Sequence, residues 1–492
     1  MVTSSMGSAS AASKPSLPPL VPGPYRQRLG TVALIATFGG LLFGYDTSVI
    51  NGAMELMSRP DQLNLDALGE GIAVSSLLFA AAVGAISGGR LSDAWGRRKT
   101  IILLAAMFFG GVIFCVVAPN LAIMVVGRVI LGLAVGAAST VVPVFLAELA
   151  PFEIRGSLAG RNELMIVTGQ LAAIVTNAII GNLWGEEYPW VWRVMLAFAA
   201  LPAIVLFFGM LRMPESPRWL VEKGRNDEAL EILKSLRPEG RAKPELDEIS
   251  FVTNEEEKLI PMDLAGIFSN KNLYRILLIG CGIGFFQQLT GINSILYYGQ
   301  KVLIDAGFSA GGALIANIAP AVISVITAII ALRIIDHISR RKTFLLGYGL
   351  VTICHILIGA ASTLLPEGSP IKPYVLLVLI VLFVGSMQLF LNIATWVTLS
   401  EIFPLKMRAF GMGMSVFILW LTNAFLGLFF PTIIAAIGIS GSFFAFAAVN
   451  VVAFVFVYKA VPETRGRTLE ELEEDVTTGA IYVTNKPQRV DS

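Results

Sequence analysis

Pro214-Glu-Ser-Pro-Arg-Trp-Leu-Val-Glu-Lys-Gly-Arg-Asn-Asp-Glu228 opens an interval that stays rich in charge as far as Lys271, with Glu255, Glu256, Glu257 and Lys258 near its end. On either side the chain is mostly apolar and runs in blocks of about twenty residues, each long enough to cross a bilayer. One charge at the centre of a bilayer costs about 3 kcal/mol on insertion scales, so this interval belongs in water. It cuts the chain into two membrane-embedded parts, and the rest is read outward from that cut.

Composition agrees. Of 492 residues, 55% are hydrophobic and 14% charged, against roughly 25% charged in a soluble globular protein. The net charge of +1 and the lack of a basic cluster argue against nucleic acid as a partner. Cys115, Cys281 and Cys354 lie in apolar runs without ligand or disulfide spacing, and His337 and His355 add little. No metal and no cofactor is expected, and the cysteines read as packing residues. Nothing pairs a nucleophile with a histidine or builds a phosphate loop, so the reading is not an enzyme. Residues 1–28, rich in Ser, Ala and Pro without an apolar h-region, read as a disordered cytoplasmic tail rather than a signal peptide.

Apolar windows predict twelve spans: about 29–51, 71–91, 100–118, 121–145, 159–182, 191–212, 273–301, 311–335, 343–364, 373–401, 409–434 and 441–461. The expected organisation is an all-α membrane protein with two six-helix halves, 29–213 and 273–461. A cytoplasmic helical domain over 214–272 joins them, and 462–492 forms a C-terminal tail. Arg90, Arg97, Arg98 and Lys99 follow span 2, and Arg340, Arg341 and Lys342 follow span 8. Both loops belong inside by the positive-inside rule. The opposite loops, such as Asp61–Glu70 and Glu186–Glu187, carry acids. Both termini and the central domain are thus expected in the cytoplasm, with the spans in the plasma or inner membrane.

The halves repeat. Asp93-Ala-Trp-Gly-Arg-Arg-Lys99 is echoed by Asp336-His-Ile-Ser-Arg-Arg-Lys342. Glu148-x-x-Pro-x-x-x-Arg155 is echoed by Glu401-x-x-Pro-x-x-x-Arg408, and Pro214-Glu-Ser by Pro462-Glu-Thr. The three pairs come in one order at nearly one spacing, as internal repeats of transporters do. Topology alone asks only for Lys and Arg, yet acids are interleaved with them. Asp93, Arg97, Glu148, Arg155, Glu215, Asp336, Arg340, Glu401, Arg408 and Glu463 are therefore candidates for a cytoplasmic gate, with bidentate Arg–carboxylate bridges as its latch.

Ionisable groups inside spans are functional candidates. Asp46 lies about five residues from the outer end of span 1, and Arg128 about seven residues into span 4. At 1.5 Å per residue both sit roughly 8–11 Å below the outer edge, which lets them pair. The guanidinium favours the carboxylate and burial opposes it, so the site suits loading and releasing a proton. Span 7 holds Gln287, Gln288, Asn293, Tyr297 and Tyr298 around Gly291. Amides donate and accept, which suits a ring of hydroxyls. In a regular helix residues 288 and 293 point about 140° apart, so a break at Gly291 is expected to turn them toward one cavity. Gln170, Gln388 and Trp420 also fall near mid-depth, and Trp396 deeper.

Gly39-Gly-Leu-Leu-Phe-Gly-Tyr-Asp46, the two Arg-rich loops, Pro143-Val-Phe-Leu-Ala-Glu148-Leu-Ala-Pro151, Pro214-Glu-Ser-Pro-Arg-Trp-Leu220, Gln287-Gln-Leu-Thr-Gly-Ile-Asn293 and Pro462-Glu-Thr-Arg-Gly466 together resemble the sugar porter family of the major facilitator superfamily. The resemblance covers about 29–475. Departures are Phe145 for the family's Tyr, Ser339 for a Gly of the second Arg loop, and Asn392-Ile393 for a Gly-Pro before Trp396. It implies that Gln170, Gln287, Gln288, Asn293, Trp396 and Trp420 contact sugar, with Phe43, Tyr298, Asn317, Gln388 and Asn392 as further candidates. An Asp at position 46 goes with proton coupling in that family. A second acid of a xylose-type symporter is Ala199 here, and the position before Trp420, Gln there, is Leu419.

The reading is a proton-coupled symporter that imports a neutral polyol or sugar by alternating access, working as a monomer in the bilayer. Thr290-Gly-Ile-Asn-Ser-Ile-Leu-Tyr-Tyr298 resembles bacterial inositol transporters and tilts the substrate to myo-inositol. The alternatives are a passive uniporter of a hexose or pentose and a transporter-like nutrient receptor.

Overall fold

A computed structural model describes residues 17–258, 264–334, 338–404, 407–463 and 476. Among them the first half contributes α1 (Tyr25–Met57), α2 (Ala67–Trp95), α3 (Arg97–Val117), α4 (Leu121–Leu149), α5 (Arg155–Trp184), α6 (Trp192–Ala197) and α7 (Ala200–Met210). Four short helices follow, α8 (Pro217–Glu222), α9 (Asn226–Leu236), α10 (Ala242–Lys258) and α11 (Leu264–Ser269). The second half contributes α12 (Lys271–Gln288), α13 (Ile292–Asp305), α14 (Ala310–Ala316), α15 (Ile318–Ile334), α16 (Arg340–Leu364), α17 (Lys372–Ser386), α18 (Ile393–Glu401) and α19 (Arg408–Ala460), with a π-helical segment, Met387–Asn392, between α17 and α18.

Several of these pair end to end into single passes. Eleven described stretches are long and apolar enough to cross a membrane, and the last, Phe410–Ala460, turns at Gly438, where φ is 69°. That turn makes two passes of one stretch, twelve in all. The helices overrun the expected windows: α1 spans Tyr25–Met57 rather than 29–51. Hydropathy detects only the lipid-facing length, whereas the backbone ladder continues into water through residues such as Arg26 and Glu55.

Small residues bring helices close. Gly132 and Gly136, one turn apart on α4, face α2, and a Cβ on Gly136 would lie 1.9 Å from the Ala81 carbonyl oxygen. In lipid, where no hydrophobic force drives helices together, such close approach is a main source of packing energy. Large apolar side chains such as Ile86, Phe109, Leu183, Phe208 and Val452 point outward. The chain is a multi-pass membrane protein.

The halves meet along α2 and α19, α5 and α15, and α1 and α13. The short helices between them share a small core of Trp219, Leu220, Ala229, Leu233, Ala242 and Leu246. Ser216 caps α8 by accepting from the Trp219 N–H, and Pro217 fills the first turn. This linker is docked on the first half. Trp219 Nε1 donates to the Asp93 carbonyl, Arg237 Nη2 to the Leu149 carbonyl, and Arg241 pairs with Glu153 at 2.9 Å.

Candidate functional site

Two like-built corners lie on the linker face. In the first, Arg97 grips Glu148 of α4 through Nε and Nη2 at 3.0 and 2.9 Å, while Nη1 lies 3.0 Å from Asp93. Glu215 accepts from the Arg98 N–H at 3.0 and 3.2 Å, which caps the N-terminus of α3. In the second, Arg340 reaches Glu401 at 3.2 Å, and Glu463 accepts from the N–H groups of Arg340 and Arg341 at 3.0 and 3.2 Å. Ser339 Oγ also bonds Glu463. Arg408 Nε donates to the Phe403 carbonyl at 3.3 Å. Asp336 and the side chain of Arg155 lie outside the described residues. Among the described residues these are Arg–carboxylate bridges between helices. They tie α3 to α4 and α16 to α18, neighbours within one bundle, and Glu215 and Glu463 act as helix caps.

The Asp46–Arg128 pair forms, at 3.3 Å, with both side chains about 2–3% exposed. Arg128 Nε donates to the Ala73 carbonyl at 3.0 Å. Asp46 Oδ2 has no hydrogen-bond partner among the described residues. α1 continues to Met57, eleven residues beyond Asp46, because the helix runs on past its apolar window.

The seventh pass breaks where the amides cluster. α12 stops at Gln288, and Gly291 is left-handed, with φ 84° and ψ 3°. A side chain there would be strained and would press on Phe446. The turn brings together what a straight helix would separate: Asn293 Nδ2 donates to Gln288 Oε1, and Gln288 Nε2 donates to Gln287 Oε1 at 2.6 Å. All three are buried. Trp420 on α19 lies 5.6 Å, ring to ring, from Phe43 on α1. Trp420 Nε1 and Gln388 Nε2 are buried without a partner among the described residues. Gln388 sits in the π-helical segment, a form of backbone that frequently marks functional sites. Gln170 on α5 lies beside Gly44 of α1, where a Cβ would come 3.0 Å from its N–H nitrogen. Trp396 on α18 is half-buried.

Three candidates are engaged elsewhere. The Tyr298 hydroxyl donates to the Gly427 carbonyl at 2.7 Å, a strut between α13 and α19. Asn317 Oδ1 faces Gly299 on α13, next to Asn51 and beyond the amide cluster. Asn392 Nδ2 donates to Glu163 of α5 at 2.7 Å. Glu163 was missed in the sequence, although it lies inside the window read as span 5 and any ionisable group there warranted notice.

The face opposite the linker is closed by bonds between halves, which the sequence did not signal. Asn51 Nδ2 donates to the carbonyls of Ile295 and Leu296 at 3.0 Å each, and its Oδ1 accepts from the Gln300 N–H at 2.8 Å. Lys301 Nζ meets Glu70 at 2.6 Å, and Asn182 Nδ2 donates to the Gly311 carbonyl.

Comparison with known proteins matches residues 32–476 to the family described as "Sugar (and other) transporter". Over 447 residues the chain is 50% identical to the major myo-inositol transporter IolT of Bacillus subtilis (strain 168), covering 91% of this chain and 94% of that protein. The xylose transporter XylE from E. coli, in a partially occluded inward open conformation, superposes with a TM-score of 0.77 at 29% identity, covering 90% of this chain and 100% of that one. The proton:xylose symporter XylE bound to 6-bromo-6-deoxy-D-glucose gives 0.74 at 30% identity, covering 92% and 99%.

Proposed function

The chain belongs to the sugar porter family of the major facilitator superfamily and is a transporter rather than an enzyme, and from that premise we propose that it imports myo-inositol together with a proton. The observation that carries the reading is the buried Asp46 carboxylate, with one oxygen on Arg128 and the other unpartnered among the described residues. It supports a site that exchanges a proton as access alternates, with Arg128 answering the change in charge. One proton crossing 100 mV supplies about 2.3 kcal/mol; at 1.4 kcal/mol per tenfold, that sustains a solute gradient of roughly fortyfold.

Substrate binds between the halves 29–213 and 273–461 in this reading. Gln287, Gln288 and Asn293 offer an amide chain to a ring of hydroxyls. Trp420 and Gln388 present donors without partners among the described residues, and Phe43, Gln170 and Trp396 complete the walls. A neutral polyol matches a surface of amides and aromatic faces that lacks a net charge. The 50% identity with a myo-inositol transporter supports the cyclitol, while the likeness to a xylose transporter supports a pentose as the second reading. The bonds at Asn51 and Lys301 close the outer face while Asn392 still meets Glu163 across the seam nearer the linker, which supports an inward-facing, partly occluded state. The two corners, with Arg408, brace each half as it rocks. The linker and both termini face the cytoplasm, and a monomer in the cell membrane suffices.

Uptake into proteoliposomes tests this. Labelled myo-inositol should accumulate when the outside is acidic and be displaced by unlabelled myo-inositol before xylose or glucose. Equilibration without accumulation would leave a passive uniporter, and stronger displacement by xylose would move the substrate to a pentose.

A further inference from the structure

The membrane-crossing helices hold several half-buried or buried acids, and four of them meet a cation. Asp46 pairs with Arg128, Glu70 with Lys301, Glu148 with Arg97 and Glu401 with Arg340. Glu163 differs. It lies one turn into the apolar part of α5, half-buried, and the group it meets is the neutral amide of Asn392 at 2.7 Å. No cation among the described residues pairs with it. Asn392 closes the π-helical segment on the opposite half, so this bond crosses the seam that must part during alternating access. Gln170, seven residues on, occupies the same face of α5 at 3.6 residues per turn.

An anionic carboxylate in a membrane interior without a cation is costly, whereas a carboxylic acid can accept from an amide and donate a proton of its own. We propose that Glu163 is a second proton-carrying residue, holding its proton while bonded to Asn392 in this state and yielding it to water when the halves separate. Among the described residues, charged groups on the surrounding elements are committed or turned away. Asp46 on α1 is held by Arg128, Glu148 on α4 by Arg97, and Glu401 on α18 by Arg340, while Arg161 on α5 and Arg333 on α15 are exposed. The π-helical segment carries no titratable side chain. The inference deepens the proton-coupled reading and rests on it for its functional meaning, but its chemistry is separable.

Infrared spectroscopy of the protein in lipid vesicles reads the proton directly, with no substrate present. At neutral pH the carbonyl-stretch band of a protonated carboxylic acid should be lost in Glu163→Gln and kept in Asp46→Asn. Asn392→Leu leaves the acid in place without its amide donor, so the band should move rather than vanish. A spectrum unchanged by Glu163→Gln would overturn the proposal, as would a band that stays fixed in Asn392→Leu. Exchange of labelled myo-inositol between preloaded vesicles adds the functional arm. The pH response that remains in Asp46→Asn should be lost in the double variant with Glu163→Gln, and its persistence there would remove Glu163 from the cycle. Accumulation by Asp46→Asn would instead sink the assignment of Asp46 while leaving the band of Glu163 to be judged alone.

Discussion

On the linker face the first half caps α3 with Glu215 and has Arg98 reach the Met210 carbonyl at the end of its sixth pass; the second half caps α16 with Glu463 and has Arg341 reach the Tyr458 carbonyl at the end of its twelfth. The corners are copies. The interiors are not: the first half buries a charge pair, Asp46 with Arg128, and the second a chain of neutral amides, Gln287, Gln288 and Asn293. Repeated residues therefore join neighbouring helices in the same way in both halves. In the function proposed here, the unrepeated residues let energy coupling and solute recognition separate, one to each half.

The largest expected effect tests whether the corners are equal in energy as well as in plan. Glu148 is about 9% exposed against 26% for Glu401, so Arg97→Ala leaves the more deeply buried orphan carboxylate. It should destabilise the protein by about 3–5 kcal/mol, the usual loss when a buried pair is broken, and Arg340→Ala by clearly less. Thermal unfolding in detergent ranks the two, and equal losses would mean that burial does not distinguish the corners.

Asp46→Asn breaks the division between the halves from the coupling side. The variant keeps size and most hydrogen bonding but has no titratable group, so a roughly fortyfold gradient should collapse to equilibration while exchange survives. Concentrative uptake by this variant would place coupling outside the first half's charge pair. From the other side, Gln288→Ala and Asn293→Ala should each weaken solute binding by about 1–3 kcal/mol, the cost of leaving a buried partner unpaired, without altering the pH response. Unchanged affinity in both would make these amides packing between helices. Smallest of all, Glu215→Gln and Glu463→Gln should each cost about 1 kcal/mol of stability, with no change in affinity. A shift in affinity from either cap would show that the corners reach into the binding region.

Much of this architecture is legible in the amino-acid sequence. A long apolar window reports a local sum, the cost of water against lipid, and that sum locates twelve passes and the charged linker without reference to neighbours. Asp46 and Arg128 were readable as partners because charge in hydrocarbon must be answered by charge, even though α1 proved longer than its apolar window. What the fold alone decided depends on direction and distance. The break at Gly291 was legible, because glycine beside a cluster of amides marks it, but the π-helical turn at Met387–Asn392, which sets where Gln388 and Asn392 point, was not. Asn51 against Ile295 and Glu163 against Asn392 join residues more than two hundred apart, across two bundles whose mutual angle no local sum contains. Tyr298 shows the same limit: its hydroxyl is fully readable in the chain, but whether it meets solute or the Gly427 carbonyl was settled only when α19 packed beside it.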